Sequence, residues 1–439
     1  MTSERDIDAI VRELISNDDN AAKQKIAGEI IEIAKSKGIF LASIQDLYKA
    51  RGEGRCPGGF TVPAINLRNL TYYLARAIFR VAKKNDSGAF IFEIAKSEMG
   101  YTAQPPIEYT SVVLAAAIKE GFSGPVFIQA DHCQANAKNF AADPQKEITA
   151  LKHVIEDAIT AGFFNIDIDT STLVDLQQKD IREQQRNNFE TCAQLTQYIR
   201  EIQPEGIVVS VGGEIGEVGG KNSTAEDLKA FMDGYLESLA PGTEGISKIS
   251  IQTGTSHGGV VLPDGSIAQV KVDFDTLRNL SKYAREHYRL GGAVQHGAST
   301  LPAQAFNKLP ENDAIEVHLA TQFQNMMFDS TIFPKDLKDK MYNWTKKNCA
   351  SEMKEGQTDD QFIYKTRKKA LGPFKKDIMN LPEEVKEGIA REIEAKFDFL
   401  FKQLKANDTK KLIDTYIKRK DVKIGAKLAK AVLDGEGDD

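Results

Sequence analysis

The sequence predicts an α/β fold: a (β/α)8 TIM barrel with an N-terminal helical cap and a C-terminal helical extension. Three observations predict it. Short apolar or β-branched runs alternate with longer helix-like segments, which implies parallel strands joined by crossover helices. Eight such runs spread over about 260 residues, the number and length at which a parallel sheet closes on itself. In run after run the polar residues stand at the C-terminal end, the rim where barrels build sites from several strands at once. A doubly wound open sheet, the structural competitor, gathers its chemistry at one switch point.

Taken in order, residues 4–37 read as two helices, with Ile7, Ile10, Val11 and Leu14 at helical spacing and a glycine stop in "AKSKGIF". The expected divisions are 1–40 for these helices, 41–330 for the barrel and 331–439 for the extension. The eight strand runs are "TVPAIN" (61–66), "AFIFEIA" (89–95), "PVFIQADH" (125–132), "FFNIDIDTS" (163–171), "IVVSVGGEIG" (207–216), "ISKISIQTGTSHG" (246–258), "GAVQHGAS" (292–299) and "AIEVHLATQ" (314–322). Beyond Ser330 the pattern ends, and 334–434 reads as helical throughout. There Pro382 is placed like a first-turn proline, and Val385, Ile389, Ile393, Phe397, Leu400, Phe401 and Leu404 form one apolar stripe, a packing surface or a subunit contact.

Composition excludes several classes. Of 439 residues, 41% are hydrophobic and 27% charged, and no apolar run reaches the roughly 20 residues that span a bilayer. The N-terminus is charged and amphipathic, unlike a secretory signal, so a cytoplasmic protein is expected. A net charge of -6 argues against general nucleic-acid affinity. The four cysteines, Cys56, Cys133, Cys192 and Cys349, lie too far apart for a CxxC zinc site and are too few for a disulfide framework.

Of six histidines, four end predicted strands: His132, His257, His296 and His318 on strands 3, 6, 7 and 8. Each alone reads as a hydrogen-bonded polar residue near a core. Jointly they converge, because a closed barrel brings its strand ends to one rim. His132, His257 and His296 would supply the three nitrogens of a catalytic zinc site with one position open for water or a substrate oxygen. Glu214, ending strand 5 in "GGEIGEVGG", is a further ligand or a counter-charge. The glycines around these residues, among them Gly212, Gly213, Gly216, Gly254, Gly258 and Gly297, suit close approach of backbone N–H groups to an anion, or simply tight turns. "HGAST" and "ATQ" follow strands 7 and 8, where barrels frequently place a phosphate.

The segments "FIQADHC", "GGEIGEVGG", "GTSHGG" and "AVQHGAS" together resemble the successive signatures of class II (metal-dependent) fructose-bisphosphate aldolases, over about Ala42 to Thr321. The resemblance implies that His132, His257 and His296 hold a divalent metal, usually zinc, with Glu214 among its alternative ligands. It makes Asp131 the acid/base. It places Asn66, Gly258, Gly297, Ser299 and Thr321 on the substrate and its phosphate, with a monovalent cation (K+ or Na+) nearby, and Asp169 near the metal. It also implies a phosphorylated sugar substrate and a homo-oligomer (dimer or tetramer), while charge and hydropathy lead to the expectation of no nucleic-acid or membrane partner.

Several positions depart from that pattern. On strand 8 His318 and Ala320 stand where the family has asparagine and aspartate, and Ala298 replaces a second glycine. On strand 2 Glu93 and Ala95 replace glutamine and serine. Glu226 comes later than the family's loop acid. In "YKTRKKALGPFKK", Arg367 or Lys368 offers a cation for a distal phosphate, or else a solvated helix face. Two rival readings follow: a barrel hydrolase in which the metal activates water, which expects an HxH pair that "TVPAIN" lacks, and an aldolase-like subunit without catalysis, which expects ligand loss.

Overall fold

The computed structural model describes residues 5–216, 220–255 and 271–425. Nine parallel strands occur among them: β1 (Ile39–Ala42), β2 (Val62–Asn66), β3 (Ile91–Ala95), β4 (Gly124–Gln134), β5 (Asn165–Asp169), β6 (Ser210–Glu214), β7 (Lys248–Ile251), β8 (Ala293–Gln295) and β9 (Glu316–Leu319). From β2 to β9 each strand pairs with the next, and β9 returns to β2, so eight strands close the barrel. All eight predicted runs supply these strands.

β1 is a ninth strand that the sequence reading lacks. Gly38, at φ 76, ends the second helix, and the four residues after it pair with the lower part of β4, Ile39 opposite Gly124 and Ala42 opposite Phe127. So short a run behind a helix stop has no periodicity of its own; its partner makes it a strand. The helix that follows, Gln45–Gly52, carries Tyr48 under the barrel, within an apolar floor formed with Ile44, Val62, Ala64, Ile91, Phe127 and Val294.

The N-terminal cap consists of helices Ile7–Ser16 and Asn20–Ser36, each started by an aspartate. Asp6 accepts from Asp8 N, and Asp19 accepts from Ala21 N at 2.8 Å, satisfying donors that a helix start otherwise leaves open. Ile10, Val11, Leu14 and Ile15 are buried, and the pair packs on helix Pro106–Lys119.

After the barrel come helices Lys335–Asn348, Asp359–Thr366, Lys375–Met379, Glu383–Gln403 and Lys410–Tyr416. The expectation of helix throughout is corrected at 417–425, which has no regular structure: there Gly425 N donates to Thr160 O at 3.0 Å, so this segment bonds to the barrel's helices instead of to itself, and 426–434 lies outside the described residues. The predicted stripe on helix Glu383–Gln403 packs on the barrel. Ile389, Ile393, Phe397, Leu400 and Phe401 are fully buried against helix Thr71–Lys84 and its surroundings, with the Phe397 ring tilted 4.8 Å from Phe323 and that of Phe401 5.5 Å from Phe90. Arg80 Nε donates to Glu394 at 2.9 Å along the same seam. No helix among the described residues is long and apolar enough to cross a membrane.

Because this helix completes the core, Phe397→Ala should lower stability by about 3–5 kcal/mol, the usual loss for an aromatic side chain removed from a packed interior. Denaturant unfolding checks it; a loss under about 1 kcal/mol would mean that the extension is an appendage.

Candidate active site

Successive residues of a regular strand face opposite sides, so the adjacent Asp131 and His132 could not both look into the barrel. β4 solves this with an irregularity. Its pairing with β5 shifts register between Ala130 and Cys133, and His132 lies at φ 44, in the left-handed region that non-glycine residues rarely enter. Such a backbone costs on the order of 1–3 kcal/mol and persists where surrounding structure imposes it. Here the bulge turns both side chains toward the rim.

His132 Nε2 lies 2.9 Å from His296 Nδ1 and 3.5 Å from Asp131 Oδ1. Asp131 Oδ1 lies 3.0 Å from His318 Nδ1. Donor atoms of Asp131, His132, His296 and His318 all fall within 4.8 Å of one another. Glu214 Oε1 joins them, 3.8 Å from His296 Nδ1. Burial first, and then the neighbouring Asp169, push the Glu214 carboxyl well above its ordinary range. Imidazole nitrogens and carboxylate oxygens so gathered are a donor set that suits zinc or a similar divalent ion. Of the residues expected to bind metal, the structure thus brings together His132, His296 and Glu214; His257, with Gly258, lies outside the described residues.

Beneath this group is a buried ionic layer. Lys248, 1% exposed, points inward from β7; its Nζ donates to Gln129 Oε1 at 2.8 Å and to Asp167 Oδ2 at 3.0 Å, and pairs with Glu316. Glu316 accepts as well from Gln129 Nε2 at 2.9 Å and from the Tyr48 hydroxyl below. Burial would lower the Lys248 pKa, but Asp167 and Glu316 outweigh it and hold the ammonium charged. Burial would raise Glu316, but Lys248 and His318 outweigh it, and its carboxyl stays well below the usual range. Glu93, with desolvation its largest influence, is pushed well above. His318 meets two of these acids: its Nδ1 is 3.2 Å from Glu93 Oε2, and its Nε2 is 2.7 Å from Glu316 Oε1. Burial opposes its charge, but Glu93 and Asp131 prevail, and its pKa is raised well above an ordinary histidine's.

Gly212 gains a specific reason from this layer: a Cβ there would meet Asp167 Oδ1 at 2.4 Å and Lys248 Cε at 2.9 Å. The glycine makes room for the ion pair. The sequence reading missed Gln129, Asp167, Lys248 and Glu316, although "NIDID", "KISI" and "IEVHL" carried the signal, charged residues alternating with apolar ones inside predicted strands.

The remaining expected residues are spread around the rim. Asp169 accepts from Ser171 Oγ and Gln134 Nε2, both at 2.7 Å, and faces Glu214. Ser299 Oγ accepts from Ala320 N at 2.9 Å, just after Gly297 in its left-handed turn at φ 65. Thr321 opens helix Thr321–Asp329, and its Oγ1 lies 3.5 Å from Arg68 Nη1. Asn66 is buried and donates to Glu98. Glu226 is exposed in the first turn of helix Ala225–Ser238. Arg367 is not part of a solvated face: it is buried, donating to Asn325 Oδ1 at 2.7 Å and lying 4.9 Å over the Phe328 ring.

Residues 55–402 match the family described as Fructose-bisphosphate aldolase class-II. No curated protein matches the chain by sequence. Among solved structures, one described as a probable tagatose 6 phosphate kinase from Sinorhizobium meliloti 1021 is 12% identical with a TM-score of 0.54, covering 81% of this chain and 99% of that one. The fructose-bisphosphate aldolase of Campylobacter jejuni is 18% identical with a TM-score of 0.48, covering 84% and 97%. The YdjI aldolase of Escherichia coli K12 is 14% identical with a TM-score of 0.43, covering 77% and 97%. The first is a likeness of fold.

Removing the central cation strands two carboxylates. Lys248→Met should therefore destabilise the protein by about 3–5 kcal/mol at neutral pH. The sign with pH follows from Glu316: a carboxyl held low contributes stability above its unfolded value of about 4.3 and loses it as pH falls through the folded value. The acid-side loss seen in the parent should shrink in the variant, as read by thermal unfolding at pH 7 and pH 3.

Proposed function

We propose, since this chain belongs to the class II fructose-bisphosphate aldolase family, that it is a metal-dependent aldolase acting on the C3–C4 bond of a ketose bisphosphate. The reaction is cleavage of fructose 1,6-bisphosphate, or of a related phosphoketose, into dihydroxyacetone phosphate and an aldehyde, and the reverse condensation. The observation that carries this reading is the gathering of Asp131, His132 and His296 donors within 4.8 Å at the rim. His132 and His296 would hold the divalent ion with Glu214 beside them, and His257 is the proposed third imidazole. When bound, the ion supplies a Lewis acid that polarises the ketose carbonyl.

The chain's own residues do the rest. Asp131 takes the proton of the C4 hydroxyl during cleavage and returns it during condensation; at 6% exposure it does so with little competing water. Its neighbour His132 is on the same bulge, so acid/base and ligand stay in register with each other. Ser299 already accepts a hydrogen bond from Ala320 N, which leaves its hydroxyl hydrogen to donate to a phosphate. Gly297 beside it and Thr321 at a helix N-terminus complete the proposed phosphate cradle, with Asn66 on the substrate side and a monovalent cation (K+ or Na+) nearby.

The test is an aldol-cleavage screen of the Zn2+-loaded protein over ketose mono- and bisphosphates, read by release of dihydroxyacetone phosphate. Activity on at least one bisphosphate, abolished by chelator, is expected. Asp131→Ala should lower kcat by about 10²–10⁴-fold, the range of a general acid/base. Equal rates in parent and variant would remove Asp131 from the mechanism, and no bound zinc in the parent would favour an inert subunit.

A further inference from the structure

We propose that His318 is a positioning residue that fixes the Asp131 carboxylate for proton transfer, and that it is not a metal ligand although it sits among the candidate ligands. The inference rests on the reading of Asp131 as the acid/base.

His318 lies two residues after Glu316 on β9, so both side chains enter the barrel on the same face. Its ring is 4.2 Å, centroid to centroid, from that of His296, which is why proximity alone groups it with the metal-binding residues. Its nitrogens say otherwise. Nδ1 is 3.0 Å from Asp131 Oδ1 and 3.2 Å from Glu93 Oε2, and Nε2 is 2.7 Å from Glu316 Oε1. A ligand must present a lone pair to the cation, whereas an imidazole nitrogen facing a carboxylate satisfies it only by donating hydrogen. With a carboxylate oxygen at hydrogen-bond distance from each nitrogen, both edges of the ring are engaged by the protein's own acids and neither is turned to a cation.

Glu316, on the far side of the ring, is itself fixed. It accepts from Gln129 at 2.9 Å, from Tyr48 under the barrel and from the buried Lys248 ammonium. A rod of hydrogen bonds therefore runs from the floor through Glu316 and His318 to Asp131. Asp131 needs such a brace, because it stands where the pairing of β4 with β5 is broken and its neighbour is in a left-handed conformation. Ala95 still pairs with Asp131 on the β3 side, but the interrupted ladder on the β5 side leaves that edge of the strand unsupported, and a misplacement of about 1 Å in a reacting group lowers a rate about 100-fold.

Replacement by asparagine and glutamine separates the two nitrogens, since the asparagine amide occupies the place of Nδ1 and that of glutamine the place of Nε2. In the full-length Zn2+-loaded protein, His318→Ala and His318→Gln should lower kcat about 100-fold with KM changed less than about threefold, and His318→Asn should recover kcat to within about tenfold of the parent. In an Asp131→Ala background, His318→Ala should cost nothing further. Zn2+ affinity should match the parent's in every His318 variant, while His132→Ala loses it. Crystal structures should show the Asp131 carboxylate retained in the Asn variant and turned away in the Ala variant.

Equal rates for the Asn and Gln variants, an added loss in the Asp131→Ala background, or an Asp131 carboxylate in the same place in both crystal structures would overturn the proposal. A tenfold or larger fall in Zn2+ affinity in His318→Asn would make His318 a ligand instead. If the parent cleaves no ketose phosphate, the aldolase reading fails, while the crystal structures and Zn2+ titrations still decide the placement of His318.

Discussion

Lys248 places a full positive charge in the middle of a parallel barrel, at 1% exposure, and the rest of the interior is arranged around it. An isolated ammonium in such surroundings would give up its proton or expel itself toward water. Asp167 and Glu316 prevent this, and Gln129 bridges the set by accepting from Lys248 and donating to Glu316. The layer needs space as well as charge balance, and Gly212 provides it. Apolar residues fill the floor below and outward-facing residues such as Phe92, Ile128, Ile166 and Val317 pack on the surrounding helices. The barrel is therefore hydrophobic outside, ionic at its centre and reactive at its rim.

That ionic centre reaches the rim through His318. The family pattern has uncharged amides at the positions of Glu93 and His318, and in this chain the two departures meet, with His318 Nδ1 3.2 Å from Glu93 Oε2. In this chain an acid stands beside an imidazole. Both belong to one buried network, in which His318 also faces Asp131 and Glu316 and Glu93 also accepts from Gln129 at 3.1 Å. Removing one partner of such a network costs more than the pair contributes, so the network is held as a whole.

The fold was legible because a parallel barrel repeats one unit eight times. Each of the eight runs had flanking helices to mark it, and the polar residues at their C-terminal ends gave the rim. β1 was not legible because Ile39–Ala42 is held by β4 and not by any pattern of its own. The rim was legible for Asp131, His132, Glu214 and His296, which stand within recognisable motifs. The interior layer was harder: "KISI" shows a lysine in a strand, but that it meets Asp167, 81 residues earlier, depends on barrel closure. The burial of Arg367 was not legible either, since a run of basic residues does not reveal which of them turns inward onto Phe328 and Tyr364.

In the proposed site, imidazoles brought from β4 and from the end of β8 hold one cation beside Asp131. Anomalous scattering from Zn2+-loaded crystals at the zinc edge measures this. The expected result is a single strong peak about 2.0–2.1 Å from ring nitrogens of His132 and His296. A peak bound to His318, or no peak at these histidines, would contradict it.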